Sequence, residues 1–144
     1  MNDILTILED QRVIMHELVR YAREQQTALI HHEADELDRL AIQQQELLAV
    51  MQQKEVFRWK ALVAQLGIST KEATQIAMSE ILPTLEGYQQ DIFKKLQSEL
   101  KGLVGEWQSL NATNRVLAFR ARASVKEILA FFAESDVRVC NVRV

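Results

Sequence analysis

One proline and four glycines in 144 residues leave the chain with very little punctuation. Loop-rich and sheet-rich folds need many turns, and turns draw heavily on these two residues. Their scarcity points to long helices. Cysteine is equally rare. Cys140 stands alone, so no intrachain disulfide can form and a reducing compartment is the simplest home. No stretch approaches the ~18 consecutive apolar residues of a membrane span, so no membrane insertion is expected. The start, MNDILTILEDQRVIMHELVR, lacks a basic segment followed by an uncharged apolar core. It does not read as a signal peptide, and a cytoplasmic location is the expectation. Positive charge is not in excess either. A formal net charge of −3 gives no field suited to phosphate backbones, and nucleic acid is not an expected partner.

What is present is a composition of 48% hydrophobic and 26% charged residues, which suits neither a disordered chain nor a membrane protein. A domain near this size buries about 68–70% of the surface its unfolded chain exposes. The expectation is one helical-bundle domain over residues 1–136 and an extended or disordered tail over 137–144. Charge is uneven: residues 1–80 hold 13 acids and 8 bases, net −5, and residues 81–144 hold 7 acids and 9 bases, net +2.

Apolar residues recur at steps of three and four from the start. Ile4, Leu8, Met15, Leu18, Ala22 and Leu29, with Ile7, Ile14 and Tyr21 beside them, predict an amphipathic helix over about 3–31. The pattern stops at His31-His32-Glu33. Acids at Glu33, Asp35 and Glu36 suit the positive end of a second helix. That helix carries Leu37, Leu40, Leu47, Leu48, Met51, Val56, Trp59, Leu62, Val63 and Leu66, and Gly67 ends it. Ser69-x-x-Glu72 reads as a capping box that starts a short helix to about Leu82, where Pro83 interrupts.

Beyond Pro83 lies the most regular pattern. Ile92, Leu96, Leu100, Leu103, Trp107, Leu110, Asn114, Leu117, Ala121, Ser124, Ile128 and Phe131 follow at steps of three or four. One continuous helix would make this a seam of about 60 Å. Gly102 and Gly105 weaken it and are candidate points for a kink or a break. The Val-rich end, Val137 to Val144, fits an extended segment better than a helix. The fold class is therefore all-α: an antiparallel bundle of three to four long helices with a long C-terminal helix.

Catalytic equipment is not evident. No glutamate lies three residues before His16, His31 or His32, so the Glu-x-x-His pairs of di-iron bundles are missing. His31 and Asp35 share a face only if one helix runs through both. Cys140 has no histidine nearby in sequence, and four scattered glycines make no phosphate loop. The expectation is no enzyme, no metal and no cofactor. What remains is surface for a partner. Asn114, Ala121 and Ser124 sit in the last seam where a buried stripe favours leucine or isoleucine. They either fix register and let helices approach closely, or open a shallow groove for another protein's amphipathic helix. Leu117, Phe119, Val125, Ile128, Leu129, Phe131 and Phe132 make this stretch apolar over more than one stripe.

Here the chain resembles the FlgN-like family. Leu110-Asn111-x-x-Asn114-x-x-Leu117 is similar to the family's Asn-x-x-Asn followed by leucine in its long helix. Ala34-Asp35, followed by Arg39-Leu40, resembles the family's restart of helix 2, with alanine where glycine is frequent. The resemblance covers roughly residues 4–132. It implies a cytoplasmic chaperone of flagellar type III export that holds the C-terminal amphipathic region of hook-associated (hook–filament junction) proteins, prevents premature assembly and delivers them to the export apparatus. It also implies that the C-terminal helix binds the client, through Leu110, Asn111, Asn114, Leu117, Ala121, Ser124, Val125 and Ile128. Asn114 would orient the client by side-chain hydrogen bonds. Export-apparatus components are further candidate partners. Two other readings stay open: a secretion chaperone for another client, and a homo-oligomeric structural coiled coil that pairs the seam with its own copy.

Overall fold

The computed structural model describes residues 3–131, with side chains through Ile128. The expected extended segment from Val137, with Cys140, lies outside the described residues, as do the side chains of Leu129, Phe131 and Phe132. Every long element is helical: α1 over Asp3–Ile30, α2 over Ala34–Leu66 and α5 over Gly87–Phe131. Between α2 and α5 lie two short helices, α3 (Thr70–Gln75) and α4 (Met78–Ile81), and a single 3-10 turn over Leu82–Thr84 that contains Pro83. No strand occurs among the described residues. The fold is an all-α bundle, as the spacing predicts.

Local chemistry sets the helix ends. After α1 the Glu33 N–H reaches back to the Ala28 carbonyl at 2.9 Å and the His32 N–H to the Leu29 carbonyl at 3.4 Å. His32 takes the left-handed conformation between them, at φ 56°, a position glycine usually fills. The helix therefore does not run through His31 and Asp35, and the two do not share a helical face. Gly67 ends α2 at φ +65° with its N–H on the Val63 carbonyl. Ser69 caps α3 by accepting the Glu72 N–H at 3.1 Å.

The connecting piece departs from the expected single helix to Leu82. It breaks at Ile76 and Ala77, both in extended conformation. In an unbroken helix Ile81 would lie about 140° around from Ile76. The break lets Ile76 pack against the same core that Ala73 and Ile81 enter, with Met78 beside it.

Contacts divide the molecule into two compact units. The first comprises α1 through Glu17 and residues Leu47–Gly105. Its core is Ile4, Leu5, Leu8, Leu62, Ala73, Ile81, Leu85, Phe93 and Leu96, covered in part by Trp59, Leu66 and Leu100. Ion pairs rim it: Lys54 Nζ lies 3.0 Å from Asp10 and Arg12 lies 3.2 Å from Glu99. His16 also meets Glu99, at 3.1 Å, and that hydrogen bond holds the Glu99 carboxyl below its usual range, with Arg12 adding to the effect. The second unit comprises Leu18–Glu46 and α5 from Glu106 onward. Within it α1 and α2 form a tight antiparallel hairpin, closed by the turn at residues 31–33.

One feature of the seam in α5 differs from expectation. Phe93, not Ile92, begins it: Phe93 is fully buried and Ile92 is exposed. Either residue fits a helical step to Leu96, so spacing alone does not separate them. In α2, Val56 likewise faces outward. The glycines cause no break, since α5 runs unbroken through Gly102 and Gly105. A Cβ at either position would meet nothing within 4 Å. Gly102→Ala and Gly105→Ala should each stabilise the protein by about 1 kcal/mol, since each removes backbone freedom from the unfolded chain and fills open space. Urea midpoints would check this, and a fall in either variant would reveal a demand on these glycines that the helix does not show.

Candidate functional site

In the second unit the stripes of three helices meet. Leu18, Ala22 and Leu29 of α1 and Leu37 and Leu40 of α2 are buried, and Leu117 and Ala118 of α5 pack against Ala28, Leu29, Leu37 and Leu40. The apolar stripe of α1 has gaps at residues 11 and 25, and that of α2 has one at 44. Glutamine fills all three. Gln11, Gln25 and Gln44 are buried, as are Asn111 and Asn114 of α5. The first unit holds Gln11, whose Nε2 donates to Glu55 at 2.7 Å. The second holds the other four.

Three of these amides form a network. Gln25 Oε1 accepts from Gln44 Nε2 at 3.1 Å and from Asn114 Nδ2 at 3.4 Å. Asn114 Nδ2 also donates to the Ala22 carbonyl at 2.9 Å. One α5 side chain thereby ties α1 and, through Gln25, α2. The network is incomplete. Gln25 Nε2, Asn111 Oδ1 and Asn114 Oδ1 have no partner among the described residues. Buried amides left partly unmatched cost stability, so this layer fixes alignment more than it holds the unit together.

This geometry encloses Asn114. Its side chain has no exposed surface and its donor is spent on Ala22 and Gln25. With α1 lying on α5, Asn114 is enclosed and its amide ties the two helices. Asn111 is buried beside it. Leu110 and Leu117 are half-buried. Further along, cover is lost. Ala121 and Val125 are half-buried, Ser124 is exposed and Ile128 is 56% exposed. The eight sequence candidates thus fall into an inner set that joins the unit and an outer set that continues the same face into the open.

Charges around the unit are surface charges. Arg23 pairs with Glu106 of α5, and Arg39 of α2 donates to Glu36 and to Gln43. The Arg39 hydrogen bond holds the Glu36 carboxyl below its usual range. No group of three or more His, Cys, Asp or Glu side chains among the described residues is arranged to hold a metal ion. No helix among them is long and apolar enough to cross a membrane.

Gln25 and Gln44 are absent from the expected stripes. The signal was there in the register. Leu18, Ala22, residue 25 and Leu29 keep alternating steps of four and three, and so do Leu40, residue 44 and Leu47, and an amide at such a step is the pattern already noticed at Asn114.

Comparison with known proteins adds one match. The family model described as FlgN protein matches residues 1–141. No curated protein and no solved structure matches the chain. A match over nearly the whole length, on an all-α bundle whose long last helix carries the Asn-x-x-Asn register, means that the chain belongs to the FlgN family, a family of flagellar export chaperones.

Proposed function

We propose that this protein binds the C-terminal amphipathic region of hook-associated proteins in the cytoplasm, keeps them from assembling early and hands them to the export apparatus. The observation that carries the reading is the loss of cover along α5. The face that is buried at Asn114 runs on through Ala121 and Val125 to an exposed Ile128. An amphipathic client helix laid on that face would cover its own apolar stripe and extend the bundle by one partner. Leu117, Ala121, Ser124, Val125 and Ile128 are the contacts, with Leu110 at the inner edge. Asn114 acts from behind, by holding α5 in register through Ala22 and Gln25, with Asn111 buried beside it. Family membership supports binding of flagellar export substrates in general. The hook-associated clientele follows from the resemblance alone.

Titration of a purified hook-associated C-terminal segment into the protein, read by calorimetry, tests this. Val125→Asp and Ile128→Asp together should weaken binding by about tenfold or more, since each places a charge on a surface that binding desolvates. Circular dichroism should stay unchanged, because the outer positions do not hold the fold together. Unaltered affinity would end the proposal for this face. A parent protein that sediments as a dimer and ignores the segment would favour the self-paired coiled coil.

A further inference from the structure

The seam occupies one side of α5 in the second unit, and the opposite side has its own character. At about 100° per residue, Phe119 lies about 140° around the helix from Asn114, and Arg115, Val116, Ala123 and Lys126 fall near it. Phe119 is 73% exposed and Val116 is 49% exposed. A scattered exposed apolar residue needs no explanation, but these two sit one turn apart on a face with a distinct charge. From Trp107 to Lys126 the helix carries four bases, Arg115, Arg120, Arg122 and Lys126, and no acid. Phe119, Arg122, Ala123 and Lys126 line a shallow hollow of about 230 Å³.

We propose that this face is a second docking surface, taking an acidic amphipathic helix of a partner protein, and that it works independently of the client seam. Apolar residues of the partner cover Val116, Phe119 and Ala123, and carboxylates on its flanks meet Arg115 and Lys126. From Arg115 to Lys126 the face is about 17 Å long, so the partner segment is about three turns. Charge complementarity selects the occupant. The local excess of bases lies in a chain whose net charge is −3, so a long polyanion is repelled by the rest of the molecule while a short acidic segment is not. A second copy of the chain is a poorer fit. Paired with itself about a two-fold axis, the face would set its own bases against those of the other copy.

The test uses the full chain and two labelled synthetic peptides of equal length. One carries leucine at helical spacing with glutamates on both flanks, and the other has lysine in place of each glutamate. Fluorescence anisotropy should give binding of the glutamate peptide about tenfold or more tighter than the lysine peptide. Phe119→Ser, and separately Arg115→Glu with Lys126→Glu, should each weaken it about tenfold, and Ile128→Asp should leave it unchanged. Each of these positions is exposed, and the two sets of variants report independently should one of them fold poorly. Equal affinity for both peptides, or no binding of the glutamate peptide, overturns the proposal. So does a loss that follows Ile128→Asp and spares Phe119→Ser, which would return the peptide to the seam. A single-stranded oligonucleotide that displaces the peptide at equal charge would make the face a polyanion site. Self-association of the parent that disappears in Phe119→Ser would make it a contact between copies.

Discussion

Asn114→Asp should destabilise the second unit by about 3–5 kcal/mol at neutral pH, the cost of an unpaired buried charge. The change is nearly isosteric, so packing is not the cause. Asn114 Nδ2 donates to the Ala22 carbonyl and to Gln25 Oε1. A carboxylate oxygen in its place would face two acceptors, with no exposed surface through which water could compensate. The new group would hold its proton more tightly in the folded state than in the unfolded one. Its penalty is therefore absent in acid, where both states are protonated. It sets in as pH rises past the ordinary aspartate range near ~3.9. Denaturant unfolding of the variant and the parent between acid and neutral pH would show a gap that widens with pH. Hydrogen exchange should place the loss in residues 18–46 and in α5 beyond residue 105. Asn114→Leu provides the contrast. Removing the amide leaves Gln25 Oε1 its Gln44 donor, and an apolar side chain of similar size should cost under about 1.5 kcal/mol. A pH-independent gap for Asn114→Asp would mean that this side chain is not enclosed as described.

Phe93→Ala should cost about 3–5 kcal/mol, a large share of the roughly 5–15 kcal/mol that holds a domain of this kind together. Phe93 is fully buried in the first unit among residues of α1, α2, α3 and α4, including Leu5, Leu62, Ala73 and Ile81. Truncation removes a ring from the core in which residues of the short connecting helices and of the long ones meet. The surrounding helices cannot close the space without moving several neighbours. The urea midpoint should fall while the slope of the transition stays the same. Ile92→Ala, one residue away and exposed, should change stability by no more than about 0.5 kcal/mol. The pair separates the two phases of the seam that spacing leaves open. Equal costs at both positions would show that α5 is rotated from the orientation described.

Residues read in order are enough for the helical class, the ends of α1 and α2, the start of α3 and the buried stripe of α1. Those properties are local. Gly67 closes α2 because its own backbone tolerates a positive φ, and Ser69 starts α3 because its hydroxyl reaches an N–H three residues on. The stripe of α1 from Ile4 to Leu29 is buried as its spacing implies, since an amphipathic helix has one way to hide its apolar side. Family resemblance was also legible, in the Asn-x-x-Asn register of α5.

Tertiary structure decided what periodicity reports only to within a residue, and what depends on a distant partner. Ile92 and Phe93 satisfy the same spacing, and only the core of the first unit selects the ring. The break at Ile76 and Ala77 answers to the position of that core, as neither residue is a local helix breaker. The fate of the polar seam residues is likewise non-local. Whether Asn114 faces a client or an internal acceptor depends on the Ala22 carbonyl, 92 positions away in the chain. Gln25 and Gln44 become a buried pair because the turn at residues 31–33 folds α2 back on α1. Helical spacing assigns a residue to a face, and what covers that face is set by whichever helices pack there.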